Sequence, residues 1–158
     1  MKELKLRNDY LKNERIESVY FGGGTPSILE EIELKNILTL ISDHFEMSDH
    51  AEITLEANPE DLSLKKLGKL KSVGINRLSI GVQTFDEGTL KFMNRAHNAK
   101  EAEICLTNAR KAGFDNISTD LIFAVPPAET TVQRFESDLN RLMEFSPEHI
   151  SLYGLTIE

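Results

Sequence analysis

The sequence has a single cysteine, Cys105, and no tryptophan. A lone thiol excludes an internal disulfide, and it excludes any cysteine-only metal or iron–sulfur site supplied by this chain. A basic stripe is missing too. The 18 Lys and Arg stand against 26 Asp and Glu, a net charge of −8, and no Lys/Arg run tracks a phosphate backbone, so nucleic acid is not expected as a partner. No apolar run is long enough to cross a bilayer, and residues 1–13 alternate charge with leucine around no apolar signal-like core. The expectation is a cytoplasmic protein without a transmembrane segment. No linker, low-complexity segment or sequence repeat divides the 158 residues, which suit one domain, 1–158, with a sizeable core.

What the chain does have is Ser18-Val19-Tyr20-Phe21-Gly22-Gly23-Gly24-Thr25-Pro26. Val19, Tyr20 and Phe21 favour a strand, and three glycines can neither hold a strand nor pack a side chain. Glycine at a strand's carboxyl end lets a ligand reach main-chain N–H and C=O groups, and Ser27 to Glu30 reads as a Ser-x-x-Glu capping box opening a helix. Strand, glycine turn and helix form a ligand-binding layout, although plain tight connections share it.

Taken in order, Leu4, Leu6 and Leu11 suggest the tail of a helix over residues 1–11. Leu29, Ile32, Ile37, Leu38, Ile41 and Phe45 recur at helical spacing, which predicts an amphipathic helix over 27–44 and a polar loop over 46–50. Residues 52–58 alternate as a strand, Pro59 stops it, and Ser63 caps a helix that Gly74 ends. A third strand spans 77–83, with Leu78, Ile80 and Val82 opposite Arg77, Ser79, Gly81 and Gln83. Asp86 caps a short helix, and a longer helix, marked by Ala102, Cys105, Leu106 and Ala109, ends at Gly113. A fourth strand over 117–123, a helix striped by Val132, Phe135, Leu139 and Leu142, and a fifth strand over 149–154 complete the series. Strands alternating with helices make a parallel α/β sheet with right-handed crossovers the economical topology.

One face of these strands is Ile, Leu and Val, while the other carries Glu, Thr, Asn, Ser, Gln, Arg and Asp. Parallel strands covered on both faces read instead as continuous apolar runs. A curled sheet accounts for the difference, with helices outside and polar faces lining a cavity, as in an open barrel that holds a polar ligand. A flavodoxin-like sheet with a few tolerated polar residues is the alternative. Glu56, Gln83, Asp120 and Arg95 stand near strand carboxyl ends, where such folds place their sites, and a carboxylate there needs a cation, an ammonium or ribose hydroxyls. Each alone could be a structural hydrogen bonder. His44, His50, His97 and His149 share no ligand spacing and read as structural or solvated. Cys105 falls on a helix stripe and reads as a small core residue.

Several strings then occur in order: Tyr20-Phe21-Gly22-Gly23-Gly24-Thr25-Pro26-Ser27, Leu55-Glu56-Ala57-Asn58-Pro59, Asn76-Arg77-Leu78-Ser79-Ile80-Gly81-Val82-Gln83, Asn94-Arg95-Ala96-His97 and the strand over 117–123. Together they resemble the radical S-adenosylmethionine (SAM) proteins related to oxygen-independent coproporphyrinogen III oxidase. The ending Ile150-Ser151-Leu152-Tyr153-Gly154-Leu155-Thr156-Ile157-Glu158 is closer to the haem chaperone branch. The resemblance covers essentially the whole chain and implies a partial, open (β/α)6 barrel. It implies that Gly23, Gly24 and Thr25 hold the methionine moiety of SAM through their backbone, with Glu56 near its amino group and Arg95 near its carboxylate. Gln83 and Asp120 would bind the ribose hydroxyls, and Thr156 would lie near the adenine; each pairing suits the chemistry of its side chain.

The family holds a [4Fe–4S] cluster on a C-x-x-x-C-x-x-C loop after its first barrel strand, and this sequence has no such loop. The resemblance therefore implies that strand one and its cluster loop lie before Met1, that strands two to six are present, and that the family's carboxyl-terminal region follows Glu158. It also departs at 124–130, where a Gly-Leu-Pro-Gly-like turn is replaced by Val125-Pro126-Pro127-Ala128. The implied parent uses a reduced cluster to bind SAM, or cleaves SAM to a 5′-deoxyadenosyl radical, in haem trafficking or porphyrin metabolism. Haem or porphyrin and a haem-receiving protein are its expected partners, and the chain by itself is expected to catalyse nothing. The rivals are coproporphyrinogen III dehydrogenation and a catalytically silent module that holds a nucleoside or haem.

Overall fold

A computed structural model describes residues 2–7, 9–11, 14–126 and 131–156. Five strands, β1 (Ile16–Phe21), β2 (Met47–Ala57), β3 (Arg77–Gln83), β4 (Asn116–Phe123) and β5 (His149–Gly154), alternate with helices α1 (Lys2–Leu6), α2 (Glu31–His44), α3 (Leu64–Ser72), α4 (Glu87–Phe92), α5 (Ala99–Lys111) and α6 (Thr131–Met143). The sheet order is β1-β2-β3-β4-β5, and all neighbouring strands are parallel. Each strand lies beside its predecessor, so the order never reverses as it must in a flavodoxin-like sheet. The result is the open half-barrel that the strand alternation predicts.

Register sets which residues of neighbouring strands lie opposite one another. Tyr20 lies opposite Thr54 and Thr54 opposite Arg77; Glu56 pairs with Ser79 and Ser79 with Ser118; Asp120 pairs with Ser151. These polar residues therefore fall on one face, while Thr119 of β4 is buried on the other. On the other, Leu55, Leu78, Ile80, Val82, Ile117 and Leu121 are buried in a core shared with Leu34, Leu67, Leu70, Ala102, Leu106 and Phe114 of the helical layer. Each fully buried aliphatic of this kind contributes about 1.5–3 kcal/mol relative to exposure.

The helix boundaries follow local chemistry. Ser63 Oγ accepts from the Lys66 N–H, and Asp86 accepts from the Thr89 N–H, which caps α3 and α4 as their sequences predict. Gly74 and Gly113 leave α3 and α5 with φ of +105° and +84°, a conformation that glycine adopts at least cost.

Three expectations are corrected. The helix expected over 27–44 is a 3-10 turn, Pro26–Ile28, followed by α2 from Glu31. Ser27 does not cap it: its hydroxyl donates to Asp61 at 2.7 Å, and the Glu30 N–H donates instead to the Glu33 carboxylate at 2.9 Å. The loop expected over 46–50 is the start of β2, where Met47 pairs with Ile16 before the register slips to Ser18 opposite Glu52. Polar residues are tolerated there because Asp49 and His50 face solvent. The helix expected over 1–11 is the five-residue α1. Of the turn over 124–130, Pro127 and Ala128 lie outside the described residues, as do Ile157 and Glu158.

Candidate functional site

The site begins where β1 runs into its glycines. Gly23 and Gly24 have φ of +79° and +62°, so the chain turns through a region that side chains disfavour. A Cβ on Gly22 would stand 2.6 Å from the Tyr20 ring and 3.1 Å from Glu56 Oε1. The bare backbone lets Glu56, at the end of β2, lie against the turn: its carboxylate accepts from the Gly23 N–H at 3.0 Å and from the Tyr20 hydroxyl at 2.8 Å. Burial, and then the bond to Glu56, push the Tyr20 phenol above its ordinary range.

Opposite this turn a cavity of about 160 Å³ is lined by Gly24, Thr25, Pro26, Glu56, Ala57, Asn58, Ser79, Gly81, Gln83 and Asp120. Asp120 projects from β4. Desolvation by its surroundings, then repulsion from Glu56, raise its carboxyl above the ordinary value, with a hydrogen bond to Ser151 and the charges of His149 and Arg77 opposing. Gln83 ends β3 buried, at φ +69°. Gly81 makes room for it, since a Cβ there would meet Gln83 Nε2 at 2.6 Å, Arg95 Nη2 at 3.5 Å and Asn58 Oδ1 at 3.6 Å. Arg95 donates from Nη2 to Asn58 Oδ1 at 2.7 Å. Its Nε is buried with no hydrogen-bond partner among the described residues.

Of the residues expected from sequence, Gly24, Thr25, Glu56, Gln83 and Asp120 line one cavity. Gly23 is bonded to Glu56, and Arg95 reaches Asn58 on the lining. Thr156 is exposed beyond the end of β5 and is not among the lining residues. Sequence reasoning assigned no role to Tyr20, Asn58, Ser79 or Gly81. Strand alternation already puts Asn58, Ser79 and Gly81 on the face of Glu56 and Gln83, and the signal for a role was that shared face. His97 is structural, with Nδ1 3.1 Å from Glu60 and Nε2 3.1 Å from the Val82 carbonyl.

Residues 1–135 match the family model described as the radical SAM superfamily. The chain belongs to this superfamily. It is 40% identical over 144 residues to the haem chaperone HemW of Bacillus subtilis, an alignment covering 90% of this chain and 38% of that protein. It is 30% identical over 152 residues to the oxygen-independent coproporphyrinogen III oxidase of Salmonella typhimurium, covering 96% of this chain and 33% of that one. Among solved structures, the radical SAM enzyme coproporphyrinogen III oxidase (HemN) of Escherichia coli superposes with a TM-score of 0.86 at 29% identity, over 98% of this chain and 35% of that chain. The chain thus spans 38% of the length of the curated HemW relatives from Bacillus subtilis and Lactococcus lactis.

The two groups that a radical SAM fold implies fare differently here. For SAM the donor set fits. An acceptor carboxylate, a cavity-facing acid and amide, and a guanidinium with an orphaned buried N–H match an amino acid joined to a ribose. For a [4Fe–4S] cluster the residues of this chain do not fit. Cys105 is buried on α5 with its thiol pushed up to about 12 by desolvation, and among the described residues no group of three His, Cys, Asp or Glu could hold a metal. No helix among them is long and apolar enough to cross a membrane.

Proposed function

We propose that this chain is the SAM-binding part of a haem-chaperone-like radical SAM protein, acting as one domain in the cytoplasm. The observation that carries the reading is the Glu56 carboxylate, held by the Gly23 N–H and the Tyr20 hydroxyl at the mouth of a polar cavity. In this reading Glu56 accepts from the SAM ammonium, and the backbone of Gly23, Gly24 and Thr25 cradles the methionine moiety. Arg95 Nε, buried without a partner among the described residues, turns to the carboxylate. Gln83 and Asp120 take the ribose hydroxyls, and Thr156 lies towards the adenine. SAM beside a reduced cluster supplies radical chemistry; the residues of this chain bind and orient it. The cluster ligands must come from outside this chain, so the chain alone is inactive. The higher identity to HemW than to the coproporphyrinogen oxidase supports haem as cargo, with haem or porphyrin and a haem-receiving protein as partners.

The test uses the protein as the cell makes it, reconstituted anaerobically with iron and sulfide. Asp120→Ala should weaken SAM binding roughly tenfold to a hundredfold, since a hydrogen bond to a charged group is worth about 1.5–3 kcal/mol. Unchanged affinity removes the ribose role. Haem titration on the same protein should give a bound species, and conversion of coproporphyrinogen III would overturn the chaperone reading in favour of dehydrogenation.

A further inference from the structure

Gln83 has a left-handed backbone, φ +69°, at the point where the register of β3 against β4 slips between Ile80 and Gln83. Such a conformation is disfavoured for a residue with a Cβ and persists only where the surroundings over-determine it. The chain on either side is pinned. Before it, the Val82 carbonyl accepts from the Thr84 N–H at 2.9 Å and lies 3.1 Å from His97 Nε2. After it, a single carboxylate from α6 takes the next two residues: Asp138 Oδ2 accepts from the Thr84 hydroxyl at 2.6 Å and Oδ1 from the Phe85 N–H at 2.8 Å. Thr84 Oγ1 in turn accepts from the Asp86 N–H at 3.0 Å.

Asp138 is only 6% exposed. Burying a carboxylate is costly unless it is fully bonded, and a helix striped by Phe135 and Leu142 has no packing use for one. Among the described residues its hydrogen bonds go to the turn that follows Gln83 in sequence. One turn earlier on the same helix, Arg134 donates to Thr89 Oγ1 at 2.9 Å and to the Val125 carbonyl, so α6 ties together the turns after β3 and β4.

We propose that Asp138 is a positioning residue: by fixing Thr84 and Phe85 it holds Gln83 in the strained conformation that aims its amide into the cavity. The proposal rests on the reading of Gln83 as a ribose-binding residue. A purely structural Asp138 would support the whole fold and every ligand alike. A positioning Asp138 acts through Gln83 alone, so its loss should be felt by a ligand that has a ribose and not by one that lacks it.

The experiment compares the dissociation constants of SAM and of free methionine on the cluster-reconstituted protein as the cell makes it. Asp138→Asn should weaken SAM about tenfold and leave methionine within about twofold. Thr84→Val, which removes the hydroxyl that Asp138 accepts from, should repeat the pattern and serves if the Asn variant does not fold. In a Gln83→Ala background neither substitution should weaken SAM further. Equal losses for SAM and methionine, or full additivity with Gln83→Ala, overturn the positioning role. So does unchanged SAM affinity in the Asp138 and Thr84 variants while Gln83→Ala weakens it. If Gln83→Ala itself leaves SAM affinity unchanged, the ribose reading fails first and the proposal fails with it.

Discussion

On the outer face of the sheet Leu55, Leu78 and Ile80 have no exposed surface and meet the leucines of α3 and α5; on the inner face Tyr20 is 57% exposed, and Glu56 and Asp120 keep part of their surface open. Both faces are made by the same strands, one residue apart. The outer face obeys packing: apolar area leaves water, and Thr119, buried there with its hydroxyl unpartnered among the described residues, is the polar exception on β4. The inner face breaks that rule, holding two carboxylates near each other and two non-glycine residues, Gln83 and Ala124, at positive φ at strand ends. The buried apolar area lies on one side and the polar cavity on the other, and the inner face is paid for by the outer.

Substitutions can break that division or sharpen it. Leu78→Ala on the outer face should cost about 2–5 kcal/mol in urea unfolding, as large-to-small changes at fully buried sites do. A loss below about 1 kcal/mol would mean that the core relaxes around the cavity and that the outer face is not the main source of stability.

At the rim the effect should be smaller and of opposite sign. Ala124, just after β4, has φ +61°, a region that a residue with a Cβ disfavours. Ala124→Gly should stabilise by about 0.5–1 kcal/mol, the relief of a left-handed Cβ less the greater freedom of glycine in the unfolded chain. A destabilised variant would show that the Ala124 methyl packs usefully and that the rim is not strained there.

The smallest effect should be at Asp120, and it depends on pH. Its folded carboxyl is raised above the ordinary value of 3.8 by desolvation and then by Glu56. A raised acid binds its proton more tightly folded than unfolded, so it costs nothing below 3.8, and the cost grows as pH rises through the folded value and stays at neutral pH. Asp120→Asn should therefore raise Tm at pH 7 and leave it little changed at pH 3. A variant less stable at pH 7 would show that the Ser151 hydrogen bond outweighs desolvation.

Much of this was legible in the chain. The bounds of β3 and β5, the caps at Ser63 and Asp86 and the glycine stops at Gly74 and Gly113 were all readable, because each depends on residues within a turn of one another. The amino-terminal half of β2 was not, since Ser48, Asp49 and His50 look like loop residues and become a strand only by pairing with β1. The bonds from Asp138 to Thr84 and Phe85, across 54 and 53 residues, left no local signal at all.

Alternation of polar with apolar residues was enough to put Glu56, Ser79, Gly81 and Asp120 on the face away from the core, and the single cysteine enough to exclude a cysteine-only cluster site on this chain; both are local or additive properties. Packing of the whole fold was needed for the Gly23 N–H and the Tyr20 hydroxyl to converge on Glu56, for Arg95 Nε to be buried with no partner among the described residues, and for Gln83 to join the cavity wall. Those outcomes depend on inter-strand register and on how a distant helix packs, and a period of two residues along one strand carries no information about either.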